Sequence, residues 1–115
     1  MTVDLVPLLT VTDRVKLLAQ ALAGDRDHAP VVKLTMASAG AAWLLSECDP
    51  DDPDRCFGLC DLGLGSPELG YVDLRELLTV SAELNLPIER DANFATDKPL
   101  SLFAEEARSM GQIVT

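Results

Sequence analysis

Residues 55–90 read RCFGLCDLGLGSPELGYVDLRELLTVSAELNLPIER, and the fold is decided within them. In the opening run Phe57 and Leu59 fall on one face, and Cys56, Gly58 and Cys60 on the other, so both faces of an extended strand can be covered. Gly63-Leu64-Gly65 before Ser66-Pro67 forms a turn in which the glycines supply positive φ, and Glu68 to Tyr71 forms a short second strand. Asp73 is then a good helix N-cap with Glu76 three residues on. Leu74, Leu77, Leu78 and Ser81 recur at helical spacing, with Leu84 near the end. That helix has one apolar side and must lie on the sheet, and the corner Leu86-Pro87-Ile88-Glu89-Arg90 ends the unit.

Outward from this unit, the run Asp49-Pro50-Asp51-Asp52-Pro53-Asp54 reads as a solvent-exposed loop joining two antiparallel strands. Two prolines remove ladder donors and four carboxylates demand water. Before it, Ala42 to Cys48 alternates, with Trp43 and Leu45 opposed to Leu44 and Ser46. Earlier still, Val32, Leu34 and Met36 alternate with Val31, Lys33 and Thr35, and Ser38-Ala39-Gly40 turns between the two runs. Thr10 or Thr12 caps a first helix reaching about Ala23, with Gly24 as its stop and Val15, Leu18, Ala19 and Leu22 as its expected buried stripe. Asp25 to His28 make a polar loop closed by Pro30. Downstream, Asn93 to Lys98 is a polar loop. Ser101 is the expected cap of a last helix with Phe103, Ala107 and Met110 on one side and Gly111 as its stop. The expected fold is a single α+β domain over residues 1–115, a mainly antiparallel three- to four-stranded sheet packed with about three helices.

Composition narrows the function. At 115 residues the chain can bury a core without disulfides or metals. Aromatics are only 4% of it, which leaves few stacking surfaces for bases or flat cofactors, and none is expected. A formal charge of −10 with scattered Lys and Arg argues against direct nucleic-acid binding through a basic face. Met1 to Val11 is apolar, but it contains Asp4 and has no basic residue ahead of it, so no export signal and no membrane span are expected. The three cysteines then read as reduced thiols of a cytoplasmic protein.

Glu47, Asp49, Asp51, Asp52 and Asp54 could gather a hard cation. A calcium loop counted from Asp49, however, needs glycine where Asp54 stands and glutamate where Cys60 stands, so a solvated loop is expected. Cys48, Cys56 and Cys60 with His28 are poorly spaced for zinc, and no metal site is expected. Cys48 and Cys56 flank the acidic loop and should face each other across a hairpin. Gly63-Leu64-Gly65 lacks the Gly-Lys-Ser/Thr of a phosphate loop, and the single histidine leaves Ser and Cys without a base. Glu89-Arg90-Asp91 is either a structural ion-pair corner or the polar rim of a groove. The first is favoured because arginine pairs bidentately with carboxylates.

The residues above resemble a family of small bacterial proteins catalogued as domain of unknown function 2958. The resemblance rests on Leu8-Leu9-Thr10 with Asp13-Arg14, Pro30-Val31-Val32-Lys33-Leu34, Trp43-Leu44-Leu45 with Glu47, and the Asp49 to Asp54 run. It continues through Phe57-Gly58-Leu59-Cys60-Asp61-Leu62-Gly63, Pro67-Glu68-Leu69-Gly70-Tyr71, Leu86-Pro87-Ile88-Glu89-Arg90-Asp91 and Lys98-Pro99-Leu100-Ser101. It covers nearly the whole length. It implies a cytoplasmic bacterial protein of the kind carried by plasmids and mobile elements, and it brings no assigned activity. The chain departs from the family at Ala82-Glu83-Leu84-Asn85, where a Gly-Pro-Leu-Gly-like step is usual, so its helix should run longer.

The sequence therefore predicts a non-enzymatic module that binds another protein, with Asp61, Glu68, Tyr71, Glu89, Arg90 and Asp91 as binding residues. The strand around Tyr71 and the corner around Arg90 are expected to flank one apolar surface. The competing expectations are an acidic mimic of nucleic acid, using Glu47 to Asp61 with Asp25 and Asp27, and a small enzyme using Asp61, Glu68 or Arg90 in a cleft.

Overall fold

A computed structural model describes residues 8–24 and 26–115; the expectations on Met1 to Pro7 and on Asp25 lie outside the described residues. The elements run α1 (Val11–Leu22), β1 (Val32–Met36), β2 (Ala41–Asp49), β3 (Asp52–Asp61), β4 (Glu68–Asp73), α2 (Leu74–Leu84), β5 (Glu89–Arg90) and α3 (Leu100–Met110). All neighbours pair antiparallel, in the order β4-β3-β2-β1-β5. The sheet has five strands and not three or four, because the extended corner Glu89-Arg90 pairs with Leu34 and Thr35. No local pattern in a two-residue strand reveals a partner more than fifty residues earlier.

The α+β expectation holds, and both faces of the sheet are covered. Leu17 of α1 and Leu74 and Leu77 of α2 pack with Val32, Leu34, Met36, Trp43, Leu45 and Cys56 on one face. Leu100, Phe103, Ala104 and Ala107 of α3 pack with Leu44 and Leu59, and with half-buried Phe57, on the other. The alternation in β3 therefore falls as its residues require.

Three other details correct the sequence reading. The buried side of α1 is Leu17 with Asp13, while Val15 is 62% exposed and Leu22 70% exposed. The helix is rotated because its inward polar residues have partners: Gln20 Nε2 donates to Ser46 O at 2.5 Å and Ala29 O at 3.1 Å, and Asp13 meets Arg90. Leu84 and Met110 likewise point to solvent, each at the C-terminal end of its helix. The acidic run is mostly strand: only Pro50-Asp51 lies between β2 and β3, with Asp49 Oδ1 accepting from Asp51 N. Pro53 is tolerated because register slips between Cys48 and Asp49, leaving it outside the regular ladder. A second slip, between Leu45 and Glu47, lets Leu45 and Cys48 reach the same core although they are three residues apart.

Capping follows the sequence at both early helices. Thr10 and Asp13 form a reciprocal capping box, and Asp73 accepts from Arg75 N and Glu76 N. α2 runs to Leu84 and stops at Asn85 in the left-handed region. Ser101 is not the cap of α3, which starts one residue earlier. Instead Ser101 N donates to Asp27 Oδ1 at 3.0 Å and its hydroxyl bonds the same carboxylate, so the cap comes from a distant loop.

Candidate functional site

The charged residues marked by the sequence go mainly to holding the fold. Arg90 donates to both oxygens of Asp13, Nε at 2.6 Å and Nη2 at 2.9 Å, a bidentate pair between β5 and α1. Burial alone would raise the Asp13 pKa. The Arg90 bonds and charge, with the Thr10 amide and hydroxyl, outweigh burial and hold it below the usual aspartate range. Asp91 N donates to Lys33 O at 2.9 Å and Asp91 Oδ1 accepts from Asn93 N, while Glu89 is exposed. Asp61, only 3% exposed, accepts from Gly63 N at 2.9 Å and from Ile113 N at 3.0 Å. It thereby fixes the turn after β3 and ties down the C-terminal tail.

The acidic hairpin is equally engaged. Asp54 accepts from Arg14 at 3.2 Å and from Arg75 Nε at 2.7 Å, joining β3 to α1 and α2. Burial is again opposed and outweighed, here by Arg75 and Arg14, and the pKa is lowered. Asp54 is therefore not part of a solvated loop. Asp27 is held low by the Ser101 hydroxyl and amide. Among the described residues, no three His, Cys, Asp or Glu side chains come together as a metal cluster. Cys48 and Cys56 are register partners across β2 and β3, as their flanking positions suggest, and both are free thiols. Burial pushes the Cys56 thiol up to about 12 and raises Cys48 and Cys60 as well, which disfavours the nucleophilic thiolate at each. His28 Nε2 donates to Gly24 O.

The uncommitted residues gather at β4. It ends the sheet, and among the described residues its backbone pairs with β3 alone. Tyr71 is 61% exposed, yet fixed: Phe57 meets it edge-on with ring centroids 5.2 Å apart, and the Arg55 guanidinium lies 4.0 Å over its ring. Leu69, 41% exposed, stands on the same side, since Leu69 and Tyr71 oppose Leu59 and Phe57 of the α3 face. On the other side, Glu68, Gly70 and Val72 oppose Cys60, Gly58 and Cys56. There an open groove of about 420 Å³ runs between β4 and α2, lined by Trp43, Val72, Leu77 and Val80, with Leu62 and Leu84 at its rim. Among the described residues, apolar surface therefore flanks both sides of one free edge.

This is where the expected site divides. Glu68 and Tyr71 lie on the β4 edge, whereas Glu89, Arg90 and Asp91 lie at the β5 edge, four strand spacings or about 19 Å away. The corner and the strand do not share a surface. The groove beside α2 was missed by the sequence reading, although Leu62 and Val80 were there to be seen as apolar residues surplus to the buried stripe. Among the described residues no helix is long and apolar enough to cross a membrane. No curated protein and no solved structure matches the chain. One family does, over residues 8–114, and the chain belongs to it: Protein of unknown function (DUF2958).

Proposed function

We propose that the chain is a non-enzymatic protein-binding module, a cytoplasmic accessory of a bacterial plasmid or mobile element, whose strand β4 receives an extended segment of its partner. The observation that carries this is a six-residue edge strand with exposed Leu69 and Tyr71 on one side and an apolar groove on the other. Edge strands of this length are normally blunted by lysine, proline or a covering element, and Leu69-Gly70-Tyr71-Val72 offers none of these within its own sequence. The carboxylates whose pKa shifts, Asp13, Asp27 and Asp54, all shift downward onto arginine or cap donors. That is the arrangement of structural charges and not of a general acid. The mimic reading gains no support, because within its own set Asp54 is held by Arg14 and Arg75, Asp61 by the Gly63 and Ile113 amides, and Asp27 by Ser101, so these carboxylates are spent on contacts inside the fold.

Affinity capture from a bacterial host, run in parallel with the wild type and a Leu69→Lys/Tyr71→Lys double variant, tests the proposal. A protein held by the wild type, lost with the variant, and protecting amides 68–73 from hydrogen exchange is the expected result. Nothing held above background, or equal retention by both chains, would sink it.

A further inference from the structure

The edge reading leaves the partner's chemistry open, and the residues around β4 restrict it. An added strand alternates its side chains between the two faces of the sheet. One parity would stand beside Leu69 and Tyr71, over the Tyr71 ring that Phe57 and Arg55 hold in place. The other would stand beside Glu68, Gly70 and Val72 and enter the groove against α2. On that second side Gly70 leaves a notch: a Cβ built there meets no atom within 4 Å. A large apolar side chain from a neighbouring strand has room at that point.

Charge decides between occupants. Glu68 is exposed at the start of β4, and Asp73 and Glu76 border the groove where β4 passes into α2. The chain as a whole carries −10. A second copy of this chain is a poor partner: antiparallel β4 on β4 in full overlap sets Glu68 opposite Asp73 at both ends, and like charges directly opposite destabilise a ladder. Resting on the edge reading above, we infer that the occupant is a basic extended segment of another protein. It carries alternating apolar residues, one of them filling the Gly70 notch, and a Lys or Arg facing Glu68.

The test uses the full chain and three capped eight-residue peptides of alternating valine and threonine. The first carries one lysine placed to face Glu68; its twin carries glutamate there; the third is the lysine peptide N-methylated at alternate amides. In amide-resolved titrations at low salt, the lysine peptide should shift resonances 68–73 with a Kd about fivefold below that of its twin. The preference should shrink as salt rises and reverse in the Glu68→Lys variant. Equal binding of the first two peptides, or a preference that Glu68→Lys leaves intact, overturns the basic occupant. Loss of binding by the methylated peptide alone would in that case keep the edge reading. Undiminished binding by the methylated peptide, or shifts that fall elsewhere, overturns the edge reading and the inference together. So does the absence of any shift at millimolar peptide. Dimerisation of the chain at low salt with 68–73 in the interface would assign the edge to a second copy and overturn the basic occupant.

Discussion

At the β5 edge of the sheet, two residues of strand are backed by the Arg90–Asp13 pair and by the Asp91 amide on Lys33 O. At the β4 edge, six residues close the ladder with Leu69 and Tyr71 turned to solvent. The first edge holds a conspicuous charged run and commits Arg90 and Asp91 to folding. The second holds an unremarkable Leu-Gly-Tyr-Val run that packing leaves free. A charged constellation is thus weak evidence for a site when its partners lie within the same chain. Residues that neither core nor caps consume are the better guide.

The largest effect should fall on the strand that supports the open edge. Gly58 and Gly70 are register partners, but they are not alike. A Cβ on Gly58 would lie 1.9 Å from Leu44 O, beside the register shift between Leu45 and Glu47. Gly58→Ala must therefore displace backbone, and a loss of about 4 kcal/mol or failure to fold is expected in urea unfolding. A wild-type midpoint would break the account of how β3 carries β4.

Next in size is the closed edge. Arg90→Ala leaves the Asp13 carboxylate buried with only its Thr10 partners, and a loss of about 2–3 kcal/mol is expected by the same measurement. Hydrogen exchange should then rise at residues 89–91 and 33–35 before it rises at β4. Faster exchange at β4 first would reverse the assignment of which edge is sealed.

Acid acts on the same contacts. Asp13 and Asp54 titrate lower in the folded chain than in the unfolded one, so the unfolded chain binds protons first as pH falls. Their contribution is complete above about pH 5 and is lost as pH drops through the folded values, below about 4. Midpoints that stay flat between pH 6 and pH 3 would count against both ion pairs.

How much of this was legible in the sequence follows from range. Alternation and caps are local, so β1, β2, β3, Asp73 and Thr10 could be read directly. The α1 stripe could not, because periodicity assumes that apolar residues face inward. Here Asp13 and Gln20 find partners, Arg90 and Ser46, at separations of 77 and 26 residues. The same non-local pairing hid β5 and supplied Asp13, the partner that makes the Arg90 corner the structural ion pair favoured from the sequence. Tyr71 and Glu68 were singled out for their position on a short strand. What the sequence could not supply was that this strand ends the sheet.

A smaller effect, seen in rate and not in stability, concerns Cys56, which faces Val72 of β4 from the buried side. With its thiol pushed up to about 12 and no exposed surface, alkylation at pH 8 should proceed only through unfolding and should accelerate in Gly58→Ala. Rapid labelling of folded wild type would mean that β4 opens readily from β3.

The smallest effect on stability is the most informative about the open edge. Gly70 has ordinary negative-φ backbone and open space where a side chain would stand, so Gly70→Ala meets no clash and loses unfolded-state entropy. A gain of up to about 1 kcal/mol is expected, opposite in sign to Gly58→Ala one strand away. A glycine at a position where alanine stabilises contributes nothing through its own packing in the folded chain. If Gly70→Ala instead destabilised the chain by as much as Gly58→Ala, the notch would belong to the core, and β4 would lose the feature that sets it apart from the sealed edge.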